Sequence, residues 1–185
     1  MSKFYNNFFY SNHSLIIIDP SFSHIHDVMT PRSLRKAIAN TLFNAEIVVL
    51  ESKRDEVEEI SITLEEYPYT ETLHIICNTS PGCLYLGNTC LNLFNFKDYS
   101  IKLKHWCTKN ILLYGSSNIA AGNAGRKFIQ KLYQITGSNL AVYSQLSTDE
   151  MNWHCDYSLG NINPDLNILP FVKKNTLVYY TAIDY

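Results

Sequence analysis

Two groups of hydroxyls and carboxamides stand where apolar runs stop. Residues 73–77 (Leu-His-Ile-Ile-Cys) give way to Asn78-Thr79-Ser80, and residues 111–115 (Ile-Leu-Leu-Tyr-Gly) give way to Ser116-Ser117 and then Asn118. A run of about five apolar residues bounded by turn chemistry reads as a strand buried on both faces. In open parallel sheets the carboxyl ends of central strands are where chemistry is placed. The chemistry on offer here is neutral hydrogen bonding. A serine with no base beside it stays protonated and is a poor nucleophile, and the nearby candidates fit that role badly. His74 falls in mid-strand, where a core or sheet-face histidine is the simpler expectation. Cys77 directly precedes Asn78, and His154 directly precedes Cys155, so on a strand the members of each pair face apart.

The elements that must position these groups alternate. Ser14-Leu-Ile-Ile-Ile18 reads as a first strand ending in the turn signal Asp19-Pro20, and residues 1–13 as an extension ahead of a single domain over residues 14–185. A helix is expected from Thr30-Pro31, with Thr30 as N-cap and Leu34, Ile38 and Leu42 as its buried stripe. Residues 45–50 make a second strand. Residues 54–67 make a second helix, with Val57, Ile60 and Leu64 inward, a solvated acidic face (Asp55, Glu56, Glu58, Glu59, Glu65, Glu66) and Pro68 as its stop. After the third strand, Gly87-Asn88 between residues 83–86 and 89–91 predicts a projecting β-hairpin. Residues 94–106 carry Phe96, Tyr99, Leu103 and Trp106 at helical spacing, and residues 118–136 begin as a Gly- and Ala-rich loop. That loop becomes a helix with Phe128, Leu132 and Ile135 inward and Gly137 at its end. Residues 140–144 are a fifth strand, and residues 176–183 a final apolar run. Such alternation predicts an α/β fold with a mostly parallel sheet covered on both sides.

Composition removes several function classes. The net charge is −2 over 185 residues with no strongly basic segment, which argues against nucleic acid as the main partner. The longest aliphatic run is too short to span a bilayer, so no membrane partner is expected. The first twenty residues lack a signal-peptide layout, which predicts a cytoplasmic protein. Five cysteines, an odd number with no Cys-x-x-Cys pair, favour reduced thiols acting as small core residues. A zinc site drawn from Cys83, Cys90, His105 and Cys107 matches no standard ligand spacing, and His24, His26 and Asp27 read as an exposed loop. No metal or cofactor is expected: there is neither a phosphate-binding Gly-x-x-x-x-Gly-Lys loop nor a dinucleotide fingerprint. Gly122-Asn123-Ala124-Gly125 is a weak phosphate-cradle pattern that close packing explains equally well. Of the thirteen Tyr and nine Phe, eight lie in the two tails, at residues 4–10 and 179–185.

One ordered set of segments is specific. Residues 45–50 (Ala-Glu-Ile-Val-Val-Leu), 73–76, 80–86 (Ser-Pro-Gly-Cys-Leu-Tyr-Leu), Gly87-Asn88-Thr89, 111–115 and 118–122 (Asn-Ile-Ala-Ala-Gly) together resemble the bacterial family called domain of unknown function 4347. Trp153 and residues 157–161 fit its end, and the likeness covers residues 14–162. That family resembles a branch of the caspase-like cysteine peptidases. The resemblance implies a three-layer sandwich with a His-Gly pair after the third strand and a Cys after the fourth. There a thiol attacks a carbonyl while the imidazole shuttles protons. Here Asn78-Thr79 stand at the His-Gly position and Ser116 or Ser117 at the Cys position. An engineered Cys-to-Ser change would explain one serine but not Thr79. The expectation is a pseudo-peptidase that binds a peptide or protein partner, such as an active homologue, in a cleft lined by Asn78, Thr79, Ser80, Ser116, Ser117 and Asn118. The alternatives are a rewired cysteine or serine peptidase, and a structural domain that builds a homodimer through its aromatic tails and sheet edge.

Overall fold

A computed structural model describes residues 13–22, 45–51, 55–145 and 153–167, together with Arg35, Lys36 and Ala39. Its centre is a sheet in the order β2-β1-β3-β6-β7-β8. The strands are β1 (Ser14–Ile18), β2 (Ala45–Val49), β3 (Thr72–Ser80), β6 (Asn110–Gly115), β7 (Asn139–Gln145) and β8 (Trp153–Leu159), with the hairpin β4 (Cys83–Leu86) and β5 (Thr89–Asn92) off the end of β3. All neighbours in the main sheet run parallel except β7 and β8, which are antiparallel with an irregularity between Val142 and Tyr143. Asp156 is the extra residue, since Cys155 faces Tyr143 and Tyr157 faces Val142.

The buried runs explain this arrangement. β6 is buried at every position, and β3 at every position from Thr72 to Cys77, as both-face burial requires. One face packs against α1 (Glu56–Glu66), α2 (Ser100–Lys104) and α3 (Gly122–Thr136) through Val57, Ile60, Leu64, Leu103, Phe128, Ile129 and Leu132. Each such aliphatic or aromatic side chain contributes about 1.5–3 kcal/mol on burial. Fully buried Trp106 ties the helices together: its Nε1 donates to Ser61 Oγ at 3.1 Å, and that hydroxyl lies 3.0 Å from the Lys102 carbonyl. The opposite face carries Ile16, Ile18, Ile76, Leu112, Tyr114, Ala141 and Tyr143. Arg35, Lys36 and Ala39 are helical, but the stripe expected at Leu34, Ile38 and Leu42 lies outside the described residues, as do His24, His26, Asp27, both aromatic tails and residues 176–183.

Three expectations are corrected. The helix expected over residues 94–106 is only the five-residue α2; Phe94 is 98% exposed, and turns occupy the stretch before it. The cause is local competition for the backbone. Asn95 Oδ1 accepts from Asn92 N–H, Asn92 Oδ1 from Phe94 N–H, and Asn95 Nδ2 donates to the Cys90 carbonyl. Glu56 is not on a solvated face: it is fully buried. Cys83 and Cys90 are not reduced thiols but a disulfide across the hairpin, while Cys107 and Cys155 are exposed rather than core.

Candidate functional site

The candidate site is built by β3 and β6, adjacent and in register, with Cys77 opposite Gly115. The residues just beyond that pair, Thr79 and Ser116-Ser117, meet in a closed set of hydrogen bonds. Thr79 Oγ1 donates to the Ser117 carbonyl at 2.6 Å and accepts from Ser117 N–H at 3.1 Å. Ser117 Oγ donates to the Thr79 carbonyl at 2.6 Å, and Ser116 Oγ accepts from Thr79 N–H at 3.1 Å. Gly115 makes this approach possible, because a Cβ there would collide with the Thr79 side chain. Both serine hydroxyls are thus engaged with backbone, and among the described residues no imidazole or carboxylate is bonded to either.

The remaining candidates point elsewhere. Asn78 Nδ2 donates to the Ser21 carbonyl at 3.0 Å, toward the end of β1 and away from Ser117. Ser80 Oγ pairs with the Tyr85 hydroxyl at 2.9 Å on the hairpin. Asn118 has a buried Oδ1 without a partner, and its carbonyl accepts from Ala121 N–H at 3.2 Å ahead of α3. The structure therefore gathers Thr79, Ser116 and Ser117, and leaves Asn78 and Ser80 on the rim.

The other reactive groups are withdrawn. Cys77 is fully buried, and burial together with the nearby Asp19 carboxylate pushes its thiol well above the usual range, which disfavours thiolate. His74 is buried and its imidazole is pushed down to about 3 by desolvation. Its Nδ1 lies 3.2 Å from the Tyr114 hydroxyl, while Nε2 has no partner. On β8, His154 Nδ1 stands 3.9 Å from Asp156 Oδ1 and Cys155 is exposed. His105 pairs with Glu65 at 3.0 Å rather than joining the cysteines. No group of three His, Cys, Asp or Glu side chains suited to a metal ion is gathered among the described residues. Gly125 packs directly against the Ile119 carbonyl and Ala120, so this glycine serves close packing of loop on helix.

Two buried carboxylates that the sequence did not single out secure the hairpin beside the site. Glu56 accepts from Asn88 N–H at 2.9 Å and from Thr89 Oγ1 at 2.5 Å. Asp19, buried at the carboxyl end of β1, accepts from Ser21 N–H at 2.8 Å and is also bonded by the Gly87 backbone. Burial raises the Asp19 carboxyl, an effect its hydrogen bonds oppose and neighbouring Glu56 reinforces. The position of Asp19 directly after a central strand was the available signal.

Among curated proteins, none matches this chain. Among solved structures, the chain is similar to the solution structure of two-electron reduced flavodoxin from Megasphaera elsdenii. The identity is 16% and the TM-score 0.38, over 68% of this chain and 80% of that one. No helix among the described residues is long and apolar enough to cross a membrane. The family model described as Domain of unknown function (DUF4347) matches residues 15–181, which is most of the sequence. The chain therefore belongs to the DUF4347 family, an α/β domain with a mostly parallel central sheet.

Proposed function

We propose that this chain is a catalytically inert, caspase-like domain that binds a peptide or protein partner at the carboxyl end of its sheet. The observation that carries the proposal is the clasp: Thr79, Ser116 and Ser117 satisfy one another where a thiol and an imidazole would be needed. With the hairpin set aside, β3 and β6 are the third and fourth strands of the main sheet and lie side by side. That adjacency supports the reading, which needs the two catalytic positions on neighbouring strand ends. Asn78, Ser80 and the 40% exposed Tyr85 offer a polar and aromatic rim to an extended peptide. The test is incubation of the full chain with a peptide library, followed by mass spectrometry of bound and free fractions. Retention of a peptide subset without new termini is expected. Cleavage at defined positions, or no retention at all, overturns the proposal.

A second reading, self-assembly, is favoured by Phe94 at 98% and Ile101 at 73% exposure on one segment. Under that reading Phe94→Ser with Ile101→Ser halves the mass seen by light scattering. An unchanged monomer mass in the parent chain removes it.

A further inference from the structure

At the opposite, amino end of the sheet, a cavity of about 260 Å³ is lined by Lys109, Asn110, Asn161, Asn163 and Leu166. We propose that this cavity binds a small carboxylate, independently of what the carboxyl end of the sheet does. The reason is which hydrogen-bonding groups remain unspent. Asn110 is almost fully buried and committed on both sides: its Nδ2 donates to Thr72 Oγ1 at 3.3 Å, and its Oδ1 accepts from Asn139 Nδ2 at 3.2 Å. Asn139 Oδ1 in turn accepts from Asn161 N–H at 3.1 Å, which fixes the chain leaving β8 against the sheet. Asn163 Oδ1 is spent on Asp165 N–H at 3.0 Å.

What is left is mostly donors: the Asn163 NH2, the Asn161 carboxamide and the Lys109 ammonium. Among the described residues Lys109 has a loose partner, Glu71 at 3.8 Å, with both side chains well exposed, a pairing of little strength in water. Among the described residues, no carboxylate lines the cavity. An ammonium beside amide N–H donors on a rigid base matches a carboxylate, whose oxygens accept several hydrogen bonds at once. Leu166 supplies an apolar wall. The volume lies below the usual range of roughly 300–1,000 Å³ for drug-sized ligands and suits a single amino-acid-sized group. The carboxylate has two possible sources, a free small molecule or the carboxyl terminus of a peptide.

The experiment is an NMR titration of the isotope-labelled full chain with N-acetylglycine, its methyl ester, and a short peptide in free-acid and amidated forms. Saturable shifts confined to residues 109–110 and 161–166 are expected for the acid and not for the ester. Lys109→Met is expected to weaken binding about tenfold, the loss of one charge-assisted contact. Asn163→Asp keeps the acceptor that Asp165 N–H requires but replaces the donor with an anionic oxygen, and is expected to abolish binding. Binding of both acids identifies a general carboxylate site, and binding of the free-acid peptide alone identifies a peptide carboxyl terminus. Equal shifts with acid and ester, shifts that survive both variants, or no saturable shift with either acid overturn the proposal.

Discussion

The same two central strands end very differently. At their carboxyl ends β3 and β6 are tied by hydroxyls to backbone, through Thr79, Ser116 and Ser117. At their amino ends Thr72, Asn110 and Asn139 stand in register on β3, β6 and β7 and are tied by side chain to side chain. Short hydroxyls are spent on the neighbouring strand's backbone. Longer carboxamides span the strand spacing and still leave donors nearby. An exposed row of polar residues at a strand end is therefore no measure of chemical potential; what matters is which atoms remain uncommitted.

The largest effect expected bears on neither end but on the sheet between them. His74 is held neutral, its value lowered from 6.5 to about 3. The unfolded chain binds that proton first, so stability is complete above about pH 6.5 and falls as pH drops toward 3. The loss is on the order of 3–5 kcal/mol. Asp19 acts with opposite sign: its raised carboxyl favours folding below its ordinary value of 3.8, and that contribution is lost as pH rises. His74→Phe is expected to flatten the limb between pH 6.5 and 4 in denaturant titrations. An unchanged limb would mean that the imidazole is already solvated.

Next in size is Gly115→Ala, whose added methyl meets Thr79. A cost of about 2–4 kcal/mol is expected from this overpacking. Thr79→Gly in the same chain is expected to relieve part of it, a coupling that a double-mutant cycle measures. Strict additivity would show that the clasp is not closed in solution. Smaller still, Thr79→Val removes two hydrogen bonds but keeps the shape, and Asn110→Ala removes two at the other end. Each is expected to cost about 1–3 kcal/mol. Only Asn110→Ala should also disturb carboxylate binding, and that contrast separates the two ends.

Much of this architecture was legible in the residues. Strand ends followed from abrupt turn chemistry, the hairpin from Gly87-Asn88, and α3 from its Phe128, Leu132 and Ile135 spacing. Long-range choices were not legible. Nothing local states that β3 lies between β1 and β6, or that Cys83 and Cys90 join across the hairpin. The spacing of Phe96, Tyr99, Leu103 and Trp106 suits a helix, yet Asn92 and Asn95 captured the backbone first. Glu56 looked solvated because it sits in an acidic run with exposed Glu58; burial followed only once the hairpin turn needed its carboxylate. At the site, adjacency of residues 79 and 116–117 was expected, but the direction of Asn78 toward Ser21 depended on where the β1 end settled.

The most direct test of the inert clasp is exhaustive labelling of the folded chain with a serine-directed fluorophosphonate and a thiol-alkylating probe, mapped by mass spectrometry. Ser116 and Ser117 should stay unmodified, buried Cys77 should react only on unfolding, and exposed Cys107 and Cys155 should react no faster than free cysteine. Rapid stoichiometric labelling of Ser117, or of Cys77 in the folded state, would contradict the proposal and make this end of the sheet an active site.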